Sequence, residues 1–203
     1  YSYYYVNEGA LANQGVEFQF NIHAVNTNNL KLDIRLNGAW YDNKVMKMPT
    51  DNSGKEYIMN AGLSLGHSPY DYYTVEYAGV NPDNGKAQYY WYYDPKKLEG
   101  GEPNLYTDYI SSVYQYIATE YKDDPRINEY LKNPELLLKK EITDNYNYAS
   151  STYVGKSSIP ALQGGFGIDF SFYGFDLSAS FQYSLGGWGY DSAYASLMHS
   201  DRG

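Results

Sequence analysis

The sequence predicts an all-β fold: antiparallel strands of a transmembrane β-barrel, present as a fragment, with a partly helical extracellular loop inserted between two hairpins. Three observations predict it. Apolar and polar residues alternate along four segments, so each strand would carry one apolar and one polar face. The alternating segments are about as long as the roughly 9–11 residues with which a barrel strand crosses a bilayer. No run approaches the ~18 consecutive apolar residues of a membrane helix, so any crossing is made by strands. An antiparallel sheet of a soluble protein gives the same alternation; the discriminating feature is whether a second layer covers the apolar row.

The first hairpin spans 14–48. Val16, Phe18, Phe20 and Ile22 alternate with Glu17, Gln19, Asn21 and His23. On the return, Leu30, Leu32, Ile34, Leu36, Gly38 and Trp40 alternate with Lys31, Asp33, Arg35, Asn37, Ala39 and Tyr41. Both apolar rows fall on even numbers, which requires a loop with an odd number of residues within Asn26-Thr-Asn-Asn29.

The stretch 49–160 is rich in Tyr, Asn, Asp, Gly and Pro, and is far too long for an ordinary connection. Val80-Asn-Pro-Asp-Asn-Gly85 marks a turn between Tyr77 and the aromatic run Tyr89-Tyr-Trp-Tyr-Tyr93, which predicts a small hairpin. Tyr106, Tyr109, Ile110, Val113, Ile117 and Tyr121 recur at helical spacing and predict a helix over 106–121. Asp124-Pro125 and Asn133-Pro134 read as further helix starts, the second helix running over 134–142 on Leu136, Leu137, Leu138 and Ile142.

The second hairpin, 164–190, shows the clearest alternation. Phe166, Ile168, Phe170 and Phe172 share one face; Phe175, Leu177, Ala179, Phe181, Tyr183 and Leu185 share one face of the returning strand. The parity switch fits a two-residue turn at Tyr173-Gly174, with Phe172 opposite Phe175. The other face carries Asp169, Ser171, Asp176, Ser178, Ser180, Gln182 and Ser184. Trp40, Phe175 and Tyr183 stand near the ends of apolar rows, where an interfacial aromatic girdle belongs.

Tyrosine is the commonest residue, 27 of 203, and cysteine is absent. That excludes disulfides and thiolate metal sites. A net charge of −9 without a basic stripe argues against a nucleic-acid partner. No hydrolase elbow, metalloprotease spacing or phosphate-binding glycine loop occurs; His23, His67 and His199 are isolated. Asp83, Asn84 and Asp94 lack the twelve-residue calcium-loop pattern, and turn chemistry explains the first two. We therefore expect no catalytic residue, metal site or cofactor. Tyr1 is not an initiator methionine, and the chain reads as a piece of something longer.

Several strings together carry a family resemblance. They are Asn7-Glu-Gly-Ala-Leu-Ala-Asn-Gln-Gly-Val-Glu17, Tyr77-Ala-Gly-Val-Asn-Pro-Asp-Asn-Gly85, Ile142-Thr-Asp-Asn-Tyr-Asn-Tyr-Ala149, Gly155-Lys-Ser-Ser-Ile-Pro160, Gly164-Gly-Phe166, Ser184-Leu-Gly-Gly187, Tyr190-Asp191 and Tyr194-Ala-Ser-Leu-Met198. In this order they resemble the SusC/RagA family of TonB-linked outer-membrane transporters, over about half the chain. Residues 105–141 depart from the pattern and look like an insertion. The resemblance implies that 1–203 is a central part of one TonB-dependent-receptor barrel domain, located in the outer membrane and in contact with its lipid. It implies import of oligosaccharide or peptide cargo, a SusD-like surface lipoprotein as lid, and TonB engaged through a region not in this chain. The alternative is a free-standing Tyr-rich carbohydrate-binding β domain, secreted or surface-attached.

Aromatic side chains are the candidates for cargo contact, because a sugar ring stacks its apolar face on Tyr or Trp. Tyr89, Trp91 and Tyr93 alternate and would share a face. Trp188 has the parity of Gln182 and Ser184 and would point inward if the strand continued through Gly186-Gly187. Packing or interface anchoring is the competing role for all four.

Overall fold

The computed structural model describes residues 8–51, 53–54, 56–60, 63–98 and 101–193. Asn7, Tyr194 to Met198 and His199 lie outside the described residues. In chain order the strands are β1 Ala10–Asn26, β2 Leu30–Lys47, β3 Met59–Asn60, β4 Leu63–Ser64, β5 Asp71–Val75, β6 Tyr77–Val80, β7 Ala87–Tyr93, β8 Lys139–Thr143, β9 Ser151–Ser157, β10 Leu162–Phe172 and β11 Phe175–Leu185. Between β7 and β8 lie two helices, α1 Val113–Glu120 and α2 Ile127–Lys132. Single 3-10 turns sit at Pro95–Lys97, Pro134–Leu136 and Tyr146–Tyr148. Among the described residues no helix is long and apolar enough to cross a membrane. The described residues divide into two units: one holds 11–44 and 156–193, the other 8–10 and 45–155.

In the first unit the two hairpins form one sheet of order β1-β2-β10-β11. The alternation set this pairing. Ile168 stands opposite Ile34 on one side and Ala179 on the other, and Phe170 stands between Leu32 and Leu177. All the apolar rows therefore share one face, as a barrel wall requires. Phe172 pairs with Phe175 around Tyr173-Gly174, whose φ values of 46° and 89° are those of a type I′ turn. β1 and β2 are joined by Thr27, Asn28 and Asn29, the odd loop that parity demanded. The Tyr173 N–H donates to the Asn29 carbonyl at 3.0 Å, so both short turns lie at the same end of the sheet.

Among the described residues no second layer covers the apolar face. Val16 is 62% exposed and Phe175 63%, with Phe20, Ile22, Leu177 and Phe181 also open. Gly164 lies between Gly38 and Tyr183, and a Cβ there would sit 2.2 Å from the Asn37 carbonyl oxygen. The Phe18 ring and the Tyr183 hydroxyl occupy the space that a Gly38 side chain would need. Tyr183 also donates to the Asn37 carbonyl at 2.9 Å. Aromatics thus cover two adjacent glycines, restoring apolar contact where the strands lack side chains.

The second unit holds a three-stranded sheet, β6-β7-β8, with α1 and α2, and the two-stranded pairs β3-β4 and β5-β9. The predicted small hairpin is present: Tyr77 pairs with Tyr89, and the Asn81 Oδ1 and carbonyl accept from Asp83 and Gly85 N–H across the turn. Tyr92, Ile110, Val113, Ile117, Tyr130, Leu137 and Leu138 form its core.

The helices are shorter than their apolar spacing predicted. Over 106–110 the Asn104 side chain accepts from Tyr106 N–H, Asp108 accepts from Asn104 N–H, and Ile110 N–H donates to the Tyr92 carbonyl. Local turn bonds and a bridge to β7 outcompete helix there, so α1 begins only at Val113. Its N-cap Ser112 makes no capping bond, its Oγ being engaged by Tyr73 at 2.6 Å. The expected helix over 134–142 is one 3-10 turn followed by β8. Ile142 lies in that strand opposite Tyr90, where β-sheet pairing recruits its branched side chain.

Candidate functional site

The wall's polar face is a hydrogen-bonded lattice. His23 Nδ1 lies 2.6 Å from Asp33 Oδ1, Arg35 pairs with Asp169 at 3.0 Å, and Ser178 and Ser171 donate to Asp169 and Asp176 at 2.6 and 2.5 Å. Tyr41 donates to Glu17. Gly165 and Gly167 leave this face without side chains, and the Asn37 amide oxygen accepts from Gly165 N–H at 3.0 Å. Two adjoining depressions result, of about 780 and 340 Å³, which share Gln19, Asn37, Gly164 and Gln182. A surface of amides, hydroxyls and paired charges of this kind suits contact with water or a polar solute.

On the opposite face the composition changes along the strand. From Leu30 to Trp40 the row is apolar; at Asp42 and Lys44, of the same parity, it becomes charged. Gln14 donates to Asp42 at 3.1 Å and Lys44 donates to it at 2.9 Å. Ten residue steps of ~3.3 Å, at a strand tilt of ~40°, span about 25 Å, the height of a barrel's apolar band.

Tyrosines cluster in the other unit. Tyr89 meets Tyr77 and Tyr146 edge to face at 6.2 and 5.2 Å, and Tyr148 meets Tyr106 and Tyr109 at 5.0 and 5.2 Å. Tyr77, Tyr106 and Tyr146 are exposed. The turn Tyr146–Tyr148 links the two clusters. The candidate aromatics divide accordingly. Tyr89 anchors the first cluster, and Tyr93 is half-buried with its hydroxyl 3.3 Å from Glu141. Trp91 is 3% exposed and has no ring face to offer a ligand. Tyr92 is buried in the core with Ile110, Val113 and Ile117, and Trp91, of opposite parity, packs against the Tyr93 ring at 5.3 Å. Trp188 lies beyond the end of β11: Gly186, at φ 83°, breaks the strand and with it the parity argument. Its ring is exposed, and Lys156 Nζ sits 3.8 Å from the ring centroid.

Two polar constellations had no signature in the sequence. Asp94, 4% exposed, accepts from Lys96 N–H and Tyr116 hydroxyl at 2.9 Å each and from the Tyr121 hydroxyl. Burial, then the hydrogen bond to this carboxylate, holds both phenols well above their usual range. A cavity of about 490 Å³ adjoins it, between Tyr109, Gln115, Tyr116 and the Lys97–Glu120 ion pair. The second constellation centres on His67. Its ring stacks on Tyr153 at 3.5 Å and meets the edge of Tyr114 at 5.4 Å, with Asp71 3.6 Å from Nδ1. Burial lowers its pKa and Asp71 opposes the shift. The His67 carbonyl accepts from Val45 N–H at 2.9 Å, and Tyr114 donates to the Leu65 carbonyl at 2.9 Å. The 64–67 turn thereby joins Val45 to Tyr114 of α1 and Tyr153 of β9 within this unit.

The chain is thus an antiparallel β protein whose four-stranded sheet is apolar on one face and polar on the other, with a long structured excursion between its hairpins. No protein-family model matches the chain, and no curated protein does. Solved structures match it in fold. The structure of the RagAB peptide transporter superposes on 89% of this chain with TM-score 0.55 at 20% identity. The RagAB peptide importer matches in its closed-closed state (90% of this chain, TM-score 0.55, 19% identity) and in its open-open state (89%, 0.54, 20%). The fold is thus shared with a stretch of the RagAB structures, in line with the family resemblance carried by the sequence strings. The chain spans about 16% of the length of the first two solved chains and 15% of the third.

Proposed function

We propose that this chain is part of an outer-membrane TonB-dependent transporter that imports oligosaccharides or peptides together with a SusD-like surface lipoprotein. The observation that carries the reading is the uncovered apolar face of a four-stranded sheet whose other face is a polar lattice, on a fold matched by RagAB. Residues 1–203 belong to one barrel domain: hairpins 14–48 and 164–190 form wall, lipid outside and lumen inside, and 49–160 stands outside the cell. The short turns lying together at one end, as periplasmic turns do, support this placement. Cargo or lid meets Tyr89 with the exposed Tyr77 and Tyr146 beside it, and Tyr93, against whose ring Trp91 packs; Trp188 is a separate contact in the other unit. TonB acts through a part of the protein beyond this chain. A secreted carbohydrate-binding domain would need a second layer over Val16, Phe20 and Leu177, which are exposed.

These 203 residues contain no cysteine, so a cysteine introduced here is a clean reporter once any cysteine elsewhere in the complete protein is replaced. In the complete membrane-embedded protein, Leu177→Cys should resist a charged, water-soluble maleimide while Ser178→Cys, one residue on and facing the lumen, reacts. Equal labelling of both positions would refute the wall assignment. Loss of uptake in a Tyr89→Ala, Tyr146→Ala double variant with an intact barrel supports the cargo surface; unchanged uptake removes it.

A further inference from the structure

β8 has an open edge whose backbone groups can be assigned one by one. Tyr90 and Tyr92 of β7 turn away from β8. The Tyr90 N–H donates to the Glu76 carbonyl at 3.1 Å and its carbonyl accepts from Ser150 at 3.0 Å. The Tyr92 N–H donates to Ser150 Oγ at 2.7 Å and its carbonyl accepts from Ile110 at 2.8 Å. Bonded and non-bonded pairs alternate along an antiparallel ladder. The bonded pairs are therefore Tyr89↔Thr143, Trp91↔Glu141 and Tyr93↔Lys139. The N–H and C=O groups of Lys140 and Ile142 point to the outer side of β8, the last strand of its sheet, and have no protein partner among the described residues.

Natural sheets guard such edges with lysine side chains, prolines or a covering element. Here the Lys140 ammonium is drawn back over the sheet, 2.6 Å from Glu135 and 4.7 Å from the Tyr90 ring centroid. Ile142 is 49% exposed beside the edge. Donors and acceptors repeating every second residue, ~6.6 Å apart, match an extended polypeptide backbone. The hydroxyls of a sugar chain have no such repeat.

We infer that the outer edge of β8 takes up an extended peptide as an added strand, hydrogen-bonded to Lys140 and Ile142. The inference rests on the importer reading above and selects peptide as the cargo class.

The test uses the complete protein in membranes, a tryptic digest of casein as peptide probe, and maltodextrin as sugar probe. Hydrogen exchange at the Lys140 and Ile142 amides should slow by about tenfold or more with the digest and stay unchanged with maltodextrin. Ile142→Pro removes an outward donor at a position where an edge strand tolerates proline, and should weaken digest binding about tenfold or more. Exchange at Trp91 and Tyr92 reports whether the variant's sheet is intact. Bound or imported digest with no protection at the two amides, or undiminished in Ile142→Pro, overturns the inference and leaves the importer reading standing. A wild-type protein that takes up neither probe overturns both.

Discussion

Asp94 gives the sharpest stability prediction. Its side chain is buried and receives three hydrogen bonds: from the Lys96 N–H, the Tyr116 hydroxyl and the Tyr121 hydroxyl. Asp94→Ala removes all three at once. A hydrogen bond to a charged group is worth about 1.5–3 kcal/mol, and a buried group left without a partner costs about 1–3 kcal/mol. Tyr116 and Tyr121 are only partly buried and recover water in part, so the expected loss is about 3–4 kcal/mol rather than the full sum. Asp94→Asn keeps an acceptor oxygen but turns an amide donor toward one hydroxyl, and should cost about 1–2 kcal/mol. The assay is hydrogen exchange of α1 amides in the complete protein, where 3 kcal/mol corresponds to roughly hundredfold faster exchange. Two results would refute the reasoning: a loss under about 1 kcal/mol for Asp94→Ala, or an asparagine variant worse than the alanine one.

The remaining predictions concern pH and the wall. His67 has a pKa lowered by burial, which favours the neutral ring; the stability this contributes is present above its ordinary pKa of ~6.5 and is lost as pH falls toward the depressed value. Asp71→Asn should depress that pKa further in an NMR titration, and an unchanged midpoint would remove Asp71 from the account. Tyr114, pushed up to about 12 by burial, should keep its contribution below pH ~10 and lose it as pH rises toward 12, read by phenolate absorbance against unfolding. Ile168→Lys on the apolar face should cost about 2–4 kcal/mol of folding into vesicles, whereas Asp169→Ala on the polar face should cost under about 1 kcal/mol; similar costs would mean the faces are misassigned. Gly164→Ala, whose Cβ would meet the Asn37 carbonyl, should lose about 1–3 kcal/mol in the same assay, and a neutral effect would contradict the close approach of β2 and β10.

The wall was legible because one face of each strand is apolar. Period-two alternation, a parity switch at Tyr173-Gly174 and an odd loop after Asn26 fixed both hairpins and the common face. The excursion was less legible. Tyr106, Tyr109 and Ile110 have helical spacing, but Asn104 and Asp108 bind the backbone locally and Ile110 pairs with Tyr92, so tertiary bonding overrides the period. Trp91 was assigned to a ligand face by alternation, yet five consecutive aromatics without polar interruption are the mark of a strand covered on both sides. That signal was present and points to core. Trp188 depended on a strand continuing through Gly186, which a positive φ forbids. The Asp94 constellation joins residues 22 and 27 positions apart, and no local pattern announces such contacts. The Tyr148 cluster was equally silent, since one 3-10 turn and two loop residues build it.

The ladder between β2 and β10 runs unbroken from Gln163↔Ala39 to Phe172↔Leu30, although residues 48–161 intervene. Its register is set by side-chain parity and by the two short turns, none of which belongs to the intervening stretch. Closing a loop depends only logarithmically on its length, so halving that stretch changes the closure cost by about 0.6 kcal/mol. The wall is therefore a chassis that accepts exchange of everything between its hairpins. Evolution can replace the intervening stretch wholesale, or an engineer can graft another segment in its place, while the four strands keep their pairing.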